Sequence, residues 1–402
     1  MLKGKNILLS VTGGIAAYKM ADVASMLVKL HADVHVVMTE NATKFIPAET
    51  FQVLTKNKVY VDVFDENTDD YVNVPHISLG TSADCVLIAP ATANVIGKLA
   101  NGIADDMVTT TVLPARCPIL VAPSMNVYML ENRIVQDNIK KLRDYDFTII
   151  EPDDGHLACG YDGKGKLPQP EVLVQHVLYA CAKEKDLNGK KILVDAGPTQ
   201  EPIDPVRYIT NHSSGKMGYA IARVAAMRGA EVTLVSGPVS LDTPIGVNRI
   251  DVTTAADMYE AMVREADTAD IIIMSAAVAD FTPETVADNK IKKGDGEGMS
   301  IPLKRTSDIL KTLGEKKAAG ECKAVIVGFS METENLVENS RKKLTGKNAD
   351  MICANSLTTE GAGYQVDTNI VTIITKDDMK ELPLMSKDDV ADSIFDSVIE
   401  LF

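Results

Sequence analysis

Several short stretches of this sequence combine small, permissive residues with groups that can bind an anion or move a proton. After a first apolar run comes Thr12-Gly13-Gly14-Ile15, a turn whose glycines let backbone amides approach an anion where a helix begins. Residues 89–106 (APATANVIGKLANGIADD) begin at the end of another apolar run. Their Thr92, Ala93 and Asn94 are small enough to face a flat polar heterocycle without crowding it. Residues 123–129 (PSMNVYM) add Ser124 and Asn126, residues 155–168 set Cys159 among glycines near His156, and His76 stands in VPHISLG. A thiol with a reference pKa of about 8.5 is protonated near neutrality and can donate a proton. An amide such as Asn126 can hydrogen-bond a carboxylate without neutralising it. Each residue also has an ordinary reading: a strand-to-helix turn for the glycine pair, a helix start for His76, a turn for Asn126 and a loop thiol for Cys159.

The second half carries its own constellation. Residues 196–218 (AGPTQEPIDPVRYITNHSSGKMG) form an unusually long link between a strand and a helix start, and such links are usually functional. Ser213 and Ser214 alone would read as a helix cap. SAAVADF at 275–281, NKIKK at 289–293, TSDIL at 306–310 and GFSMET at 328–333 follow. The lysines around Lys290, taken alone, read as a solvated strand face.

These groups need a scaffold, and the apolar pattern supplies one. Apolar runs at 6–11, 34–38, 85–89, 119–122 and 147–150 alternate with helical spacing, as in Ala17, Met20, Ala21, Ala24, Leu27 and Val28. The theme restarts at 192–195, continues through a helix over 215–228, and returns in runs at 232–236, 271–275, 325–329 and 351–354. The expected fold class is α/β, with two doubly wound domains whose ligands sit beyond the carboxyl ends of the strands. The polar stretch 182–191 places the boundary so that the domains are 1–185 and 186–402; 402 residues suit two domains. GDGEG at 294–298 reads as a hairpin or lid tip.

Composition narrows the function classes. A formal net charge of -15 opposes binding to a nucleic-acid backbone. The six cysteines lack metal-type pairing, which suggests reduced thiols in the cytoplasm. No run reaches the ~20 apolar residues of a membrane span, so no membrane partner is expected. The GxGxxG of a nicotinamide-binding fold is absent.

Taken together, PSMN, the ACG at 158–160 and the His76 segment resemble the flavin-containing cysteine decarboxylase family over nearly the whole first domain. The resemblance implies an FMN site at Gly13, Gly14, Ile15, Phe45, Thr92, Ala93, Asn94 and Ser124. It also implies His76 as general base, Asn126 as the residue that fixes a substrate carboxylate, and Cys159 as proton donor. In such chemistry the substrate thiol is oxidised to a thioaldehyde, which accepts the electrons left as CO2 departs, and the cofactor is then recycled. Leu130 stands where many members carry Trp, a packing choice.

The second domain resembles the phosphopantothenate-cysteine ligase family. That resemblance implies CTP, carried with Mg2+, held by Ser275, Ala276, Asp280, Lys290, Ser307, Asp308, Ile309, Leu310, Phe329, Lys343 and Lys347, with Asn211 on the activated acyl group and Lys290 catalytic. No metal ligands are assigned. The implied small-molecule partners are 4'-phosphopantothenate, cysteine, CTP and 4'-phosphopantothenoylcysteine. The implied assembly is a homo-oligomer with trimeric decarboxylase contacts and dimeric ligase contacts. Two other readings are a flavin-binding regulatory module fused to an active ligase, which predicts loss of His76 or Cys159, and a nicotinamide-dependent oxidoreductase.

Overall fold

Near-continuous apolar runs are what a parallel sheet covered on both faces requires, and each expected run is found as a strand. A computed structural model describes residues 2–64, 74–156, 160–182, 185–292, 299–332, 335–356 and 366–402. Cys159 and the expected lid tip at 294–298 lie outside these residues. The chain divides into two units, Met1–Ala182 and Lys183–Phe402.

In the first unit, β1 (Asn6–Val11), β2 (Asp33–Met38), β3 (Val59–Tyr60), β4 (Cys85–Ala91), β5 (Ile119–Pro123) and β6 (Thr148–Ile149) form a parallel sheet in the order β3-β2-β1-β4-β5-β6. Every residue of β4 is buried. Helix α1 (Met20–Lys29) buries Met20, Val23, Ala24 and Leu27, the stripe that its spacing dictates. Helix α2 (Pro75–Ser82) carries His76 in its first turn, and α3 (Ala93–Ala100) and α4 (Val127–Glu131) follow the segments that end in Thr92 and Asn126. Leu130 on α4 is buried in the core, in keeping with a packing role.

Two local expectations are corrected. The glycine turn does not lead directly into an α-helix, because Ile15–Lys19 is a 3-10 turn and α1 starts only at Met20. The glycine-rich stretch 155–168 is not simply a loop: β7 (Asp153–His156) and β8 (Asp162–Lys166) pair as an antiparallel hairpin. Gly155, Gly163 and Gly165 take φ of +149°, +145° and +144° there, a region open to glycine alone.

The second unit repeats the order. Strands β9 (Lys191–Ala196), β10 (Glu231–Ser236), β11 (Val247–Asp251), β12 (Ile271–Met274), β13 (Val325–Glu332) and β14 (Met351–Ser356) run parallel as β11-β10-β9-β12-β13-β14. Antiparallel β15 (Val371–Thr375) and β16 (Met379–Glu381) extend the β14 edge. Helices α5 (Lys216–Met227), α6 (Ala255–Ala266), α7 (Ile309–Ala318) and α8 (Leu336–Gly346) accompany these strands. A glycine at 218 is required where α5 meets the sheet, since a Cβ would lie 2.5 Å from the Ala196 Cβ and 2.8 Å from the Asp195 carbonyl oxygen. In each unit the strand order reverses beside the first strand, and that switch point is where ligands enter this architecture.

Candidate functional site

In the first unit the switch point lies between β1 and β4, and a buried threonine ties their ends together. The Thr12 hydroxyl donates to the Pro90 carbonyl at 2.5 Å and accepts from the Thr92 amide at 3.2 Å. Thr92 then caps α3 by accepting from the Val95 amide. The Ser124 amide donates to Ala91 O, and the Met125 amide donates to Gly165 O, which docks the hairpin over the PSMN turn. Tyr128 and Tyr161 meet edge to face with centroids 5.3 Å apart.

These segments enclose a cavity of about 680 Å³ whose walls include Gly13, Gly14, Ile15, Thr92, Ala93, Ser124 and Asn126. Its size suits a cofactor. A Cβ on Gly14 would find no atom nearer than 3.9 Å, so the missing side chain leaves room for a ligand to approach the backbone. Asn126 serves both readings weighed for it. Its Oδ1 accepts from the Tyr128 amide as the cap of α4, so Nδ2 is the group it can offer a carboxylate.

Three expected residues do not line this cavity. Phe45 and Asn94 are exposed, and His76 sits in the first turn of α2, half-buried, with Nδ1 enclosed and without a hydrogen-bond partner. Cys159 is outside the described residues, but its chain neighbours His156 and Gly160 line the cavity. His156 Nδ1 lies 3.1 Å from Asp162 Oδ1 across the hairpin.

Sequence reasoning missed Lys19 and Lys166, which also line the cavity. Lys19 donates to the Leu167 carbonyl at 3.2 Å, and burial followed by the Lys166 charge lowers its pKa. Two cations at one wall favour an anionic ligand. The available signal was Lys19 at the end of the glycine turn.

In the second unit two cavities of about 570 and 530 Å³ share Ala276, Val278, Asp280, Phe329 and Lys343. The first gathers Ser307, Asp308, Ile309, Leu310 and Lys347; the second gathers Asn211, Ser275 and the HSSGKMG turn. Asp308 caps α7 through the Lys311 amide and pairs with Lys347. Burial alone would raise its pKa, yet Lys347, the Lys311 amide and Lys343 together hold it below the usual carboxylate range. Asn211 Nδ2 donates to the carbonyls of Val278 and Ala277, at 3.1 and 3.4 Å. A donor contact from Nδ2 to an acyl group would exchange these bonds.

Lys290 is exposed and lines neither cavity. Its neighbour Ile291 is anchored, however. The Ile291 amide donates to Asp204 at 3.0 Å, and Arg207 donates to the Ile291 carbonyl at 2.8 Å. Arg207, paired with the enclosed Asp204 carboxylate, holds that group well below its ordinary pKa. Asp204 and Arg207 were within the long loop that drew attention, but nothing in the sequence tied them to residue 291.

Asp195, fully buried near the end of β9, accepts from the Ser275 and Ala276 amides, while its Oδ2 has no partner among the described residues. Burial pushes this carboxyl up to about 7 against the pull of the two amides. The folded form therefore favours the neutral acid. This contribution to stability is complete below the unfolded value near 4 and is lost as pH rises through 7. Between pH 5 and pH 8, urea unfolding should show the native second unit losing roughly 2 to 3 kcal/mol that the Asp195→Asn variant does not lose. Parallel stability curves would contradict this.

Among the described residues no cluster of three His, Cys, Asp or Glu could hold a metal, and no helix is long and apolar enough to cross a membrane.

Comparison with known proteins gives two family matches. Residues 1–181 match the Flavoprotein family, and residues 187–401 match the DNA/pantothenate metabolism flavoprotein C-terminal domain. The chain is 51% identical to the coenzyme A biosynthesis bifunctional protein CoaBC of Bacillus subtilis (strain 168), covering 100% of this chain and 98% of that one. It is 46% identical to a cysteine/cysteine sulfinic acid decarboxylase of an unknown prokaryotic organism, over 88% of this chain and 98% of that relative. A crystal structure of the C-terminal domain of a CoaBC protein is 47% identical, with a TM-score of 0.46, over 54% of this chain and 96% of that chain.

Proposed function

This chain belongs to the family of bifunctional coenzyme A biosynthesis proteins, and we propose from that premise how its two units divide the work. The second unit joins 4'-phosphopantothenate to cysteine at the expense of CTP. The first unit decarboxylates the resulting 4'-phosphopantothenoylcysteine to 4'-phosphopantetheine. The observation that carries this division is the pair of switch-point sites, each walled by residues suited to its own ligand.

In the second unit a carboxylate oxygen attacks the α-phosphate of CTP and pyrophosphate leaves; the cysteine amine then displaces CMP from the acyl cytidylate. Lys343 and Lys347 lie where triphosphate charge would collect, and Mg2+ would travel with the nucleotide. Lys290 reaches the phosphates by movement of the segment tethered at Ile291. Asn211, beside the second cavity, meets the acyl group.

In the first unit bound FMN supplies a reversible two-electron acceptor. Gly13, Gly14, Ile15, Thr92, Ala93 and Ser124 would hold it, with Phe45 and Asn94, exposed outside the cavity wall, as further contacts. Asn126 Nδ2 orients the substrate carboxylate, and Cys159, which in sequence falls between the cavity-lining His156 and Gly160, returns a proton. His76 is the general base. Because it does not line the cavity of its own chain, it serves the cavity of a second copy in a homotrimer, while the ligase units pair as dimers. The reaction's reduced thiols and CTP fit a cytoplasmic setting.

Gly13 offers a direct check on the flavin. A Cβ there would lie 2.6 Å from the Asn41 Cβ and 2.9 Å from the Asn41 carbonyl carbon, so the turn must shift. Gly13→Ala should purify without the yellow flavin absorbance of the native protein while keeping ligase activity; a fully yellow variant would count against the turn's role.

The division itself is tested by withholding cysteine. With 4'-phosphopantothenate, CTP and Mg2+ alone, the second unit should release pyrophosphate once and hold an acyl cytidylate detectable by mass spectrometry. No CTP-dependent adduct would remove the ligase reading. The relative named for cysteine and cysteine sulfinic acid makes those compounds the control substrates for the first unit, and CO2 from either at the rate of 4'-phosphopantothenoylcysteine would reassign it.

A further inference from the structure

Asp195 has no place in the chemistry so far, yet it lies directly behind the wall where the ligase cavities meet. It lies near the end of β9 at the point where the strand order reverses, paired in register with Val235 of β10 and Met274 of β12. One carboxylate oxygen takes both the Ser275 and the Ala276 amides, the latter at 2.7 Å, and the Ser275 hydroxyl donates to the Asp195 carbonyl at 2.6 Å. Ser275 and Ala276 line the second cavity, and Ala276 also lines the first. Gly218 presses on the same place, since a Cβ there would lie 2.6 Å from the Ser275 hydroxyl. The turn is therefore fixed from behind by one side chain with no exposed surface.

We infer that Asp195 is a positioning residue of the ligase reaction, fixing the Ser275-Ala276 turn against CTP and setting the charge behind that turn. A neutral acid can accept both amides and adds no charge. An ionised one grips them more firmly but places a negative charge behind a wall that must receive a triphosphate. The titratable groups on the surrounding elements are otherwise engaged. Tyr219 on α5 bonds Ser236, Asp257 on α6 caps its own helix, Glu201 accepts from the Ala255 amide, and Tyr259 packs at the edge of the core. Burial and the two amides alone act on the Asp195 carboxyl. Ionisation of Asp195 is thus a pH-dependent brake on nucleotide binding.

The inference rests on the ligase reading, so its test uses two readouts. KM for CTP is measured from pH 6 to pH 8.5 in the native chain and in Asp195→Asn, and the ratio at each pH cancels the titration of CTP and cysteine. The ratio of native to variant KM should rise about tenfold across this range with little change in the ratio of kcat. A flat ratio would overturn the charge role. Independently of turnover, hydrogen exchange in the peptide spanning residues 271–280 should accelerate in Asp195→Ala and stay near native in Asp195→Asn. Unchanged exchange in Asp195→Ala would overturn the positioning role, even if no CTP-dependent activity were found. Accelerated exchange in a protein without such activity would retire the ligase reading and leave the positioning intact.

Discussion

Replacing His76 by Asn should lower decarboxylation of 4'-phosphopantothenoylcysteine by about 10²- to 10⁴-fold, the range for loss of a general base, while the protein stays yellow and its ligase rate is unchanged. The flavin should be retained because the cavity walls at Gly13, Gly14, Thr92 and Ser124 are untouched. An imidazole nitrogen enclosed without a partner is costly to keep. Its place on α2, between exposed Val74 and Ile77, suits a surface that a second copy covers. This yields a sharper expectation. Co-expression of His76→Asn with Gly13→Ala should restore part of the decarboxylase activity that both lack alone, because mixed oligomers contain sites with a native flavin turn from one chain and a native His76 from another. Native mass spectrometry that shows mixed oligomers with no recovery would place His76 in service of its own chain.

Replacing Lys290 by Gln has the opposite distribution. Pyrophosphate release in the ligase reaction should fall about 10²- to 10³-fold, as when one donor to a developing anion is removed, with decarboxylation of supplied 4'-phosphopantothenoylcysteine unaffected. Lys290 stands outside both cavities in this structure, so its effect depends on delivery. The Asp204-Arg207 pair holds the adjoining Ile291 at both its amide and its carbonyl. Asp204→Asn should therefore lower kcat while CTP affinity changes less, since Lys343 and Lys347 remain in the cavity. An undiminished rate of pyrophosphate release in Lys290→Gln would remove Lys290 from the chemistry.

Much of the scaffold was legible because burial on both faces leaves an unmistakable mark. The run at 85–89 lies within a strand buried along its whole length, and the restart at 192 is the first strand of the second sheet. The α1 stripe was equally plain, since Met20, Ala24 and Leu27 are forced to one side by helical geometry. What escaped depended on backbone conformation or on distant pairing. The hairpin of β7 and β8 is built with glycines at positive φ, and glycine-rich composition reads as loop whether or not the backbone pairs. Of the antiparallel edge strands, β16 is three exposed residues with no apolar run, whereas β15 (VTIIT) carries a buried β-branched strand signal that sequence reasoning missed.

The sites divide along the same line. Residues just past strand ends, Gly14, Thr92 and Ser124 in the first unit and Ala276 in the second, reach their cavities because the sheet itself brings strand ends together. His76 and Lys290 lie on segments that the sheet does not place, and neither lines one of these cavities. Lys19, Lys166 and the Asp204 anchor became visible only as spatial neighbours. Asp195 hid for a different reason: one aspartate closing an apolar strand resembles a boundary residue until its burial and its two amide partners are seen.

The central claim is that one chain performs both steps, and it is tested most directly by mass spectrometry of the purified protein incubated with 4'-phosphopantothenate, cysteine, CTP and Mg2+. The account predicts 4'-phosphopantetheine together with CMP, pyrophosphate and CO2, all dependent on CTP. Accumulation of 4'-phosphopantothenoylcysteine by a yellow protein would contradict the decarboxylase half, and the absence of any CTP-dependent product would contradict the ligase half.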